Sequence, residues 1–168
     1  MKPSLIDTDI LSMFFRKHPQ VTARFADYLA RYKKIDLSII TYYEIISGLA
    51  HLDAHKKTAA FLEFVSMNRV LPLTERSVTL SAGIYADLRK VGKPLDDIDL
   101  LIAGVAMANN RVLVTHNRSH FERIEGLEIE DWRSRIGARN NLPGDKGMRR
   151  VCRKLTVRKR GKNEKRHV

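Results

Sequence analysis

Acidic side chains supply most of the chemistry this sequence could perform, and they fall in three places. Asp7 and Asp9 follow the apolar opening "SLI", Glu44 sits inside "TYYEIISGL", and Asp96, Asp97 and Asp99 crowd the run "DDID" before "LLIAGVAMA". Carboxylates gathered at one place repel each other unless a cation sits among them. Mg2+ or Mn2+ answers that need, because hard cations take oxygen ligands and Mg2+ binds through a few carboxylates together with substrate phosphate. Such an ion stabilises charge on a phosphodiester and activates a water as nucleophile. An acidic set without histidine ligands therefore points to metal-assisted phosphodiester hydrolysis.

Every one of these residues has a plainer use. Aspartate caps helix N-termini, and a first helical turn favours negative charge. Asp7 either caps the helix that follows it or serves a site, and Asp9 lies in the first turn of that helix. Thr8 is a turn residue or a hydroxyl beside the site. Thr41 and Glu44 match the S/T-x-x-E capping box, which alone accounts for Glu44. Asp97 is read as the cap of the apolar helix, and Asp96 as surface charge or an outer supporting acid. Asp99 is not needed for capping and should point at the strand edge. His116, beside Asn117, reads as a loop histidine rather than a general base.

The elements that must bring these acids together alternate in type. "SLIDTD", "KIDLSII", "RVLPLT", "RVLVTHN" and "LEIEDW" read as short strands. Between them lie helical patterns: "DILSMFFRKH", ended by Pro19; "QVTARFADYLARYKK", with Val21, Phe25, Tyr28, Leu29 and Tyr32 at steps of three and four; "TYYEIISGLAHL"; "HKKTAAFLEFVSMN"; "ERSVTLSAGIYADLRKVG", closed by Gly92; and the buried "DLLIAGVAMANN". Strand–helix alternation predicts an α/β sandwich with a central parallel sheet flanked by helices. Ligands of such sheets gather at the carboxyl ends of the strands. Asp7, Glu44 and Asn117 each lie just past a strand, and the Asp96–Asp99 cluster opens a helix whose N-terminus can face the same edge.

Composition sets the frame. A chain of 168 residues is one domain in length, and no apolar run approaches the roughly 20 residues that cross a bilayer. The first residues carry Asp7 and Asp9 within their apolar stretch and read poorly as a signal peptide. One cysteine, Cys152, excludes an internal disulfide, and no Cys/His cluster suggests zinc, so a cytoplasmic location is expected. The net charge of +12 is uneven: residues 138–168 carry +10 and residues 1–137 only +2. A folded body over 1–137 and a basic extension over 138–168 are expected. The extension is either disordered or holds a strand or helix in "RRVCRKLTVRKR". Polyanions such as RNA are its natural neighbours, with binding that weakens as salt rises.

Taken together, "LIDTDIL", "TYYEIISGL" and "DDIDLLIAGVAMANNRVLVTHNRSHFERIEGLEIEDW" resemble a PIN-domain protein of the VapC type over about residues 3 to 133. The last segment is the most specific. It carries D-x-x-I-A, an apolar strand, T-x-N-x-x-x-F and G-L-x-I in order and spacing. The resemblance implies a PIN-like fold and an Mg2+-dependent endoribonuclease, the toxin of a type II toxin–antitoxin pair. It implies that Asp7, Glu44 and Asp99 hold the metal, with Mn2+ as an alternative ion. Asn117 stands where the family often has aspartate, which removes one charge and bears on a second metal. Thr115 matches the family's hydroxyl position. A homodimer and a small cognate antitoxin are implied as partners, with the antitoxin's C-terminal segment across an acidic groove partly formed by residues 10 to 33. The extension has no counterpart in the family pattern.

Two other readings compete. In a haloacid-dehalogenase-like phosphatase, "LIDTDIL" would supply D-x-D after a strand and Asp9 would be essential, but Glu44 would be idle. In a non-catalytic RNA-binding or regulatory module, the basic extension would carry the affinity and the acids would be structural.

Overall fold

The computed structural model of the protein describes residues 2–133. Its elements in chain order are β1 (Ser4–Ile6), α1 (Thr8–Phe15), α2 (Pro19–Tyr32), β2 (Asp36–Ser38), α3 (Ile39–His51) and α4 (His55–Ser66). There follow β3 (Arg69–Leu71), α5 (Glu75–Lys90), α6 (Asp97–Ala108), β4 (Val112–Val114), α7 (Arg118–Phe121) and β5 (Ile129–Glu130). The sheet runs β3-β2-β1-β4-β5, with every neighbouring pair parallel. The expected α/β sandwich with a parallel sheet is therefore the observed architecture.

Alternate strand residues feed two cores. Ile6, Leu37 and Val114 join Ile10, Phe14, Phe25, Tyr28, Phe61 and Trp132 on one face. Leu5 and Leu113 join Leu88, Leu100, Ile102, Val105 and Phe121 on the other. Strands covered on both faces read as continuous apolar runs, as "SLI" and "VLV" do. Helix α6 buries Leu100, Ile102, Ala103, Gly104, Val105 and Ala106. Each large aliphatic residue among them contributes roughly 1.5–3 kcal/mol.

The strand order fixes where a ligand can sit. From β1 the chain steps to β2 and β3 on one side, then crosses to β4 and β5 on the other. The crevice outside the carboxyl ends of β1 and β4 is thus the topological switch point.

Several boundaries differ from the sequence reading. Pro19 does not end the first helix. That helix closes at Arg16, Lys17 takes φ 62°, and Pro19 opens α2, where its fixed φ suits the first helical position. Helix α3 starts two residues earlier than "TYYE" implied. Its N-cap is Ser38, whose hydroxyl accepts from the Thr41 N–H at 2.8 Å, so Thr41 and Glu44 form no capping box. Asp96, not Asp97, caps α6 by accepting from the Ile98 N–H at 2.9 Å. Helix α7 falls in a stretch for which the sequence reading offered no element. The expectations for residues 138–168 lie outside the described residues.

At the amino edge of the sheet, Asp36 is fully buried yet well matched. Its carboxylate takes Arg69 Nε at 2.6 Å and Arg111 Nε at 2.7 Å. Replacing Asp36 with alanine leaves Arg111, only 21% exposed, without its carboxylate. We expect a loss of about 3 kcal/mol, the low end for a broken buried pair because Arg69 can return to water. Urea unfolding of the variant measures it.

Candidate active site

Asp7 is the residue that β1 delivers to the switch point. Its backbone N–H donates to the Val114 carbonyl at 3.0 Å, extending the β1–β4 ladder one step past the strand. As N-cap of α1, its side chain accepts from the Thr8 N–H at 2.7 Å. Of the two uses offered from sequence, the cap is observed, on a carboxylate that is only 6% exposed at the carboxyl edge of the sheet. Burial, then the charge of Asp9, with Glu44 adding, pushes its pKa up to about 7 despite hydrogen bonds from Thr115 and Thr8. Among the described residues Asp7 has no ion pair. The contrast with Asp36, buried just as deeply between two arginines, is direct.

Glu44 projects from α3 into the same region. Freed from capping, it accepts a short hydrogen bond from the Thr8 hydroxyl, which ties α3 to the start of α1. Thr8 is thus the first residue of α1 rather than a turn residue, and its hydroxyl is committed to Glu44. Asp9 does more than answer the helix dipole. One of its oxygens accepts from the Ile10 N–H and the other from the His116 N–H at 2.8 Å, pinning α1 to the loop after β4. Burial raises its pKa above the ordinary carboxylate value. With both oxygens engaged by backbone, Asp9 is poorly placed for the acid role a phosphatase would require. His116 is indeed a loop histidine, its Nδ1 lying 3.0 Å from Asp131 Oδ2. Burial raises the Asp131 pKa, but hydrogen bonds and charge from His116 and Arg133 outweigh it and hold the group below its usual range.

The loop after β4 brings the remaining candidates. Thr115, fully buried, hydrogen-bonds the Asp7 carboxyl and accepts from the Asn117 N–H at 3.0 Å. Asn117 Nδ2 lies 2.7 Å from His120 Nδ1, and the same ring nitrogen lies 2.6 Å from Asp99 Oδ2. Of the three aspartates at the start of α6, the N-cap Asp96 and Asp97 are exposed, whereas the Asp99 side chain is half-buried and held by His120. A continuous polar chain thus runs Glu44–Thr8–Asp7–Thr115–Asn117–His120–Asp99.

The structure does not, however, present these acids as one compact ligand set. Among the described residues no group of three or more His, Cys, Asp or Glu is spaced to hold a metal ion. Each carboxylate is held by its own donor instead: Asp7 by Thr8 and Thr115, Glu44 by Thr8, Asp99 by His120. The donor chemistry nonetheless fits a hard cation, being carboxylate, hydroxyl and amide oxygen around an unmatched buried negative charge. Sequence reasoning missed His120 and Asp131. The available signal for His120 was its place one helical turn after Asn117; Asp131, directly after "EIE", was read as part of the last strand.

The PIN domain model matches residues 4–127. A tRNA(fMet)-specific endonuclease VapC of Shigella flexneri is 32% identical over 130 residues, which cover 76% of this chain and 96% of that one. This chain belongs to the PIN-domain VapC family. Ribonuclease VapC1 of Methanocaldococcus jannaschii is 33% identical over 129 residues, covering 76% of this chain and 86% of that protein. Among solved structures, the DNA-bound VapBC of Salmonella typhimurium aligns with a TM-score of 0.70 at 31% identity, covering 79% of this chain and 99% of that one. VapBC-1 of nontypeable Haemophilus influenzae aligns at 0.67 and 28%, covering 78% and 98%. These relatives are covered over 86% to 99% of their own length, against 76% to 79% of this chain. No helix among its described residues is long and apolar enough to cross a membrane.

Proposed function

We propose that this protein is an endoribonuclease toxin of a VapBC-type toxin–antitoxin pair, hydrolysing RNA phosphodiester bonds with Mg2+, or Mn2+ in its place. The observation that carries the reading is Asp7: a buried carboxyl with a pKa raised to about 7, two further acids acting on it and no cation beside it. Fold position and family membership supply the context.

In this reading Asp7, Glu44 and Asp99 are the residues that hold the ion. Bound there, it supplies charge stabilisation at a scissile phosphate and acidifies an attacking water. The chain's own residues do the rest. The Thr115 hydroxyl donates to Asp7 and fixes its rotamer. Thr8 orients Glu44 through its hydroxyl. Asn117, placed by its N–H on Thr115, offers a neutral carboxamide at the edge of the site, where it can donate to a phosphate oxygen without adding charge. Asp9 locks α1 to the β4 loop, so that Asp7 and Asn117 keep one spacing.

The solved relatives are VapB–VapC complexes by name, and a cognate antitoxin is proposed as this chain's protein partner. A homodimer is proposed as well. The exposed Tyr43, Val78 and Tyr85 of α3 and α5 supply apolar surface that a second copy would cover. A cytoplasmic location completes the reading.

The test is cleavage of RNA by the purified full-length chain. Cleavage with Mg2+ that stops on chelation and returns with Mn2+, leaving 5′-phosphate and 3′-hydroxyl ends, is the expected result. RNA binding without cleavage under all metal conditions would reject the nuclease in favour of the binding module.

A further inference from the structure

We infer that His120 is a positioning residue of this site: its Nδ1 grips Asp99 and Asn117 together and sets the orientation in which Asp99 presents its second oxygen. The inference rests on the reading of Asp99 as a metal ligand. Asp99 Oδ2 lies 2.6 Å from His120 Nδ1, and Asn117 Nδ2 lies 2.7 Å from the same nitrogen. Asp99 Oδ1 has no hydrogen-bond partner among the described residues.

The chemistry of one ring nitrogen decides the arrangement. Nδ1 cannot donate to Asp99 and accept from Asn117 at the same time. A carboxylate only accepts, so contact with Asp99 requires a hydrogen on Nδ1. Asn117 then turns its carboxamide oxygen toward the ring. In that state one imidazole orients both groups, and Asp99 keeps one oxygen committed and one available. Hydrogen-bonded supports of this kind fix the rotamer and basicity of metal-binding carboxylates.

The fold does not need this side chain. Helix α7 is anchored by Phe121, which is fully buried in the core formed with α6, and by the His120 N–H to Asn117 and Glu122 N–H to Arg118 backbone bonds. The His120 side chain itself is 44% exposed. A half-exposed imidazole with one nitrogen held by two candidate site residues has its role in their placement.

Direct Mn2+ binding to the full-length chain without RNA, followed by calorimetry or by loss of the free-ion EPR signal, tests this. His120→Ala should weaken binding by roughly 10- to 100-fold, with an unchanged melting temperature in the absence of metal. His120→Asn places an amide donor where Nδ1 stood and should restore binding to within about threefold of wild type; His120→Gln, which mimics Nε2, should behave like alanine. Asp99→Asn, measured alongside, should lose binding. Wild-type Mn2+ affinity in His120→Ala, with Asp99→Asn defective, overturns the role of His120 alone. Equal weakening by alanine, asparagine and glutamine overturns donation from Nδ1. Undiminished binding by Asp99→Asn overturns the ligand assignment of the preceding section, and this inference with it.

Discussion

Asp7→Asn is expected to abolish RNA cleavage while making the metal-free protein more stable. The two effects have one origin. A carboxyl with an ordinary pKa near 3.8 is held at about 7 in the fold, because burial and the neighbouring acids disfavour its charge. The sign follows from proton binding. Below about pH 4 Asp7 is protonated whether folded or unfolded and imposes no penalty. As pH rises from about 4 to about 7 the unfolded chain loses this proton while the folded chain keeps it, so stability falls. Above about pH 7 the penalty is complete, on the order of 4 kcal/mol. Asparagine has the same shape and no charge to desolvate, but it accepts the Thr8 and Thr115 hydrogen bonds less strongly. A net gain of about 2 kcal/mol, or roughly 5 °C in melting temperature at pH 8, is expected without metal. At pH 4 the variant and wild type should melt together. Mg2+ should raise the midpoint of the wild type and leave that of the variant unmoved, and cleavage should fall at least about 100-fold. Melting curves at the two pH values, with and without Mg2+, measure all of this. A variant that melts below wild type at pH 8 would mean the carboxylate stabilises the fold, contrary to the reading of Asp7 as a ligand held at a cost.

The sequence made the scaffold readable because burial on both faces of a parallel sheet leaves short, largely aliphatic runs, and "SLI" and "VLV" are such runs. It made Asp7, Thr115 and Asn117 readable as edge residues for the same reason: Asp7 and Thr115 directly follow a strand, and Asn117 lies three residues past one. What it hid depends on register or on distance. Thr41-x-x-Glu44 fits a capping box, yet Ser38 three residues earlier is equally good. The choice was made by where β2 stops, one residue beyond the Ile6–Leu37 pair. Asp96 and Asp97 are both acceptable caps, and one residue of helix start separates them. The supports were further out of reach. Asp36 drew no reading from the sequence, because its partners lie 33 and 75 residues away. His120 likewise drew no reading, because Asp99 lies 21 residues before it. Periodicity reports which face a residue takes. It does not report which side chain from another element will meet it there.

The position of α6, which carries Asp99 in its first turn, is limited by a close packing contact farther along the same helix, and Gly104→Ala tests what that contact does. Helix α5 crosses α6 so closely that a Cβ at Gly104 would stand 2.1 Å from Ser81 Oγ and 2.4 Å from the Ser77 carbonyl oxygen. Ser81 itself donates across the interface to the Leu100 carbonyl at 2.8 Å. A serine hydroxyl can rotate away, but a helical carbonyl cannot, so the added methyl must push the helices apart. Overpacking of this sort costs about 3 kcal/mol, or roughly 10 °C in melting temperature here. Activity should suffer beyond the loss of folded protein. Asp99 lies in the first turn of α6, and displacing a reacting group by about 1 Å can cost roughly 100-fold in rate. Adding Ser81→Ala to Gly104→Ala removes the nearer obstacle and leaves the Ser77 carbonyl, so the double variant should recover only part of the stability. Recovery to the wild-type midpoint would show that the side chain, not the backbone approach, limits the spacing. Cleavage by folded Gly104→Ala at the wild-type rate would show that Asp99 keeps its place when α6 moves, and that the α5–α6 contact serves stability alone.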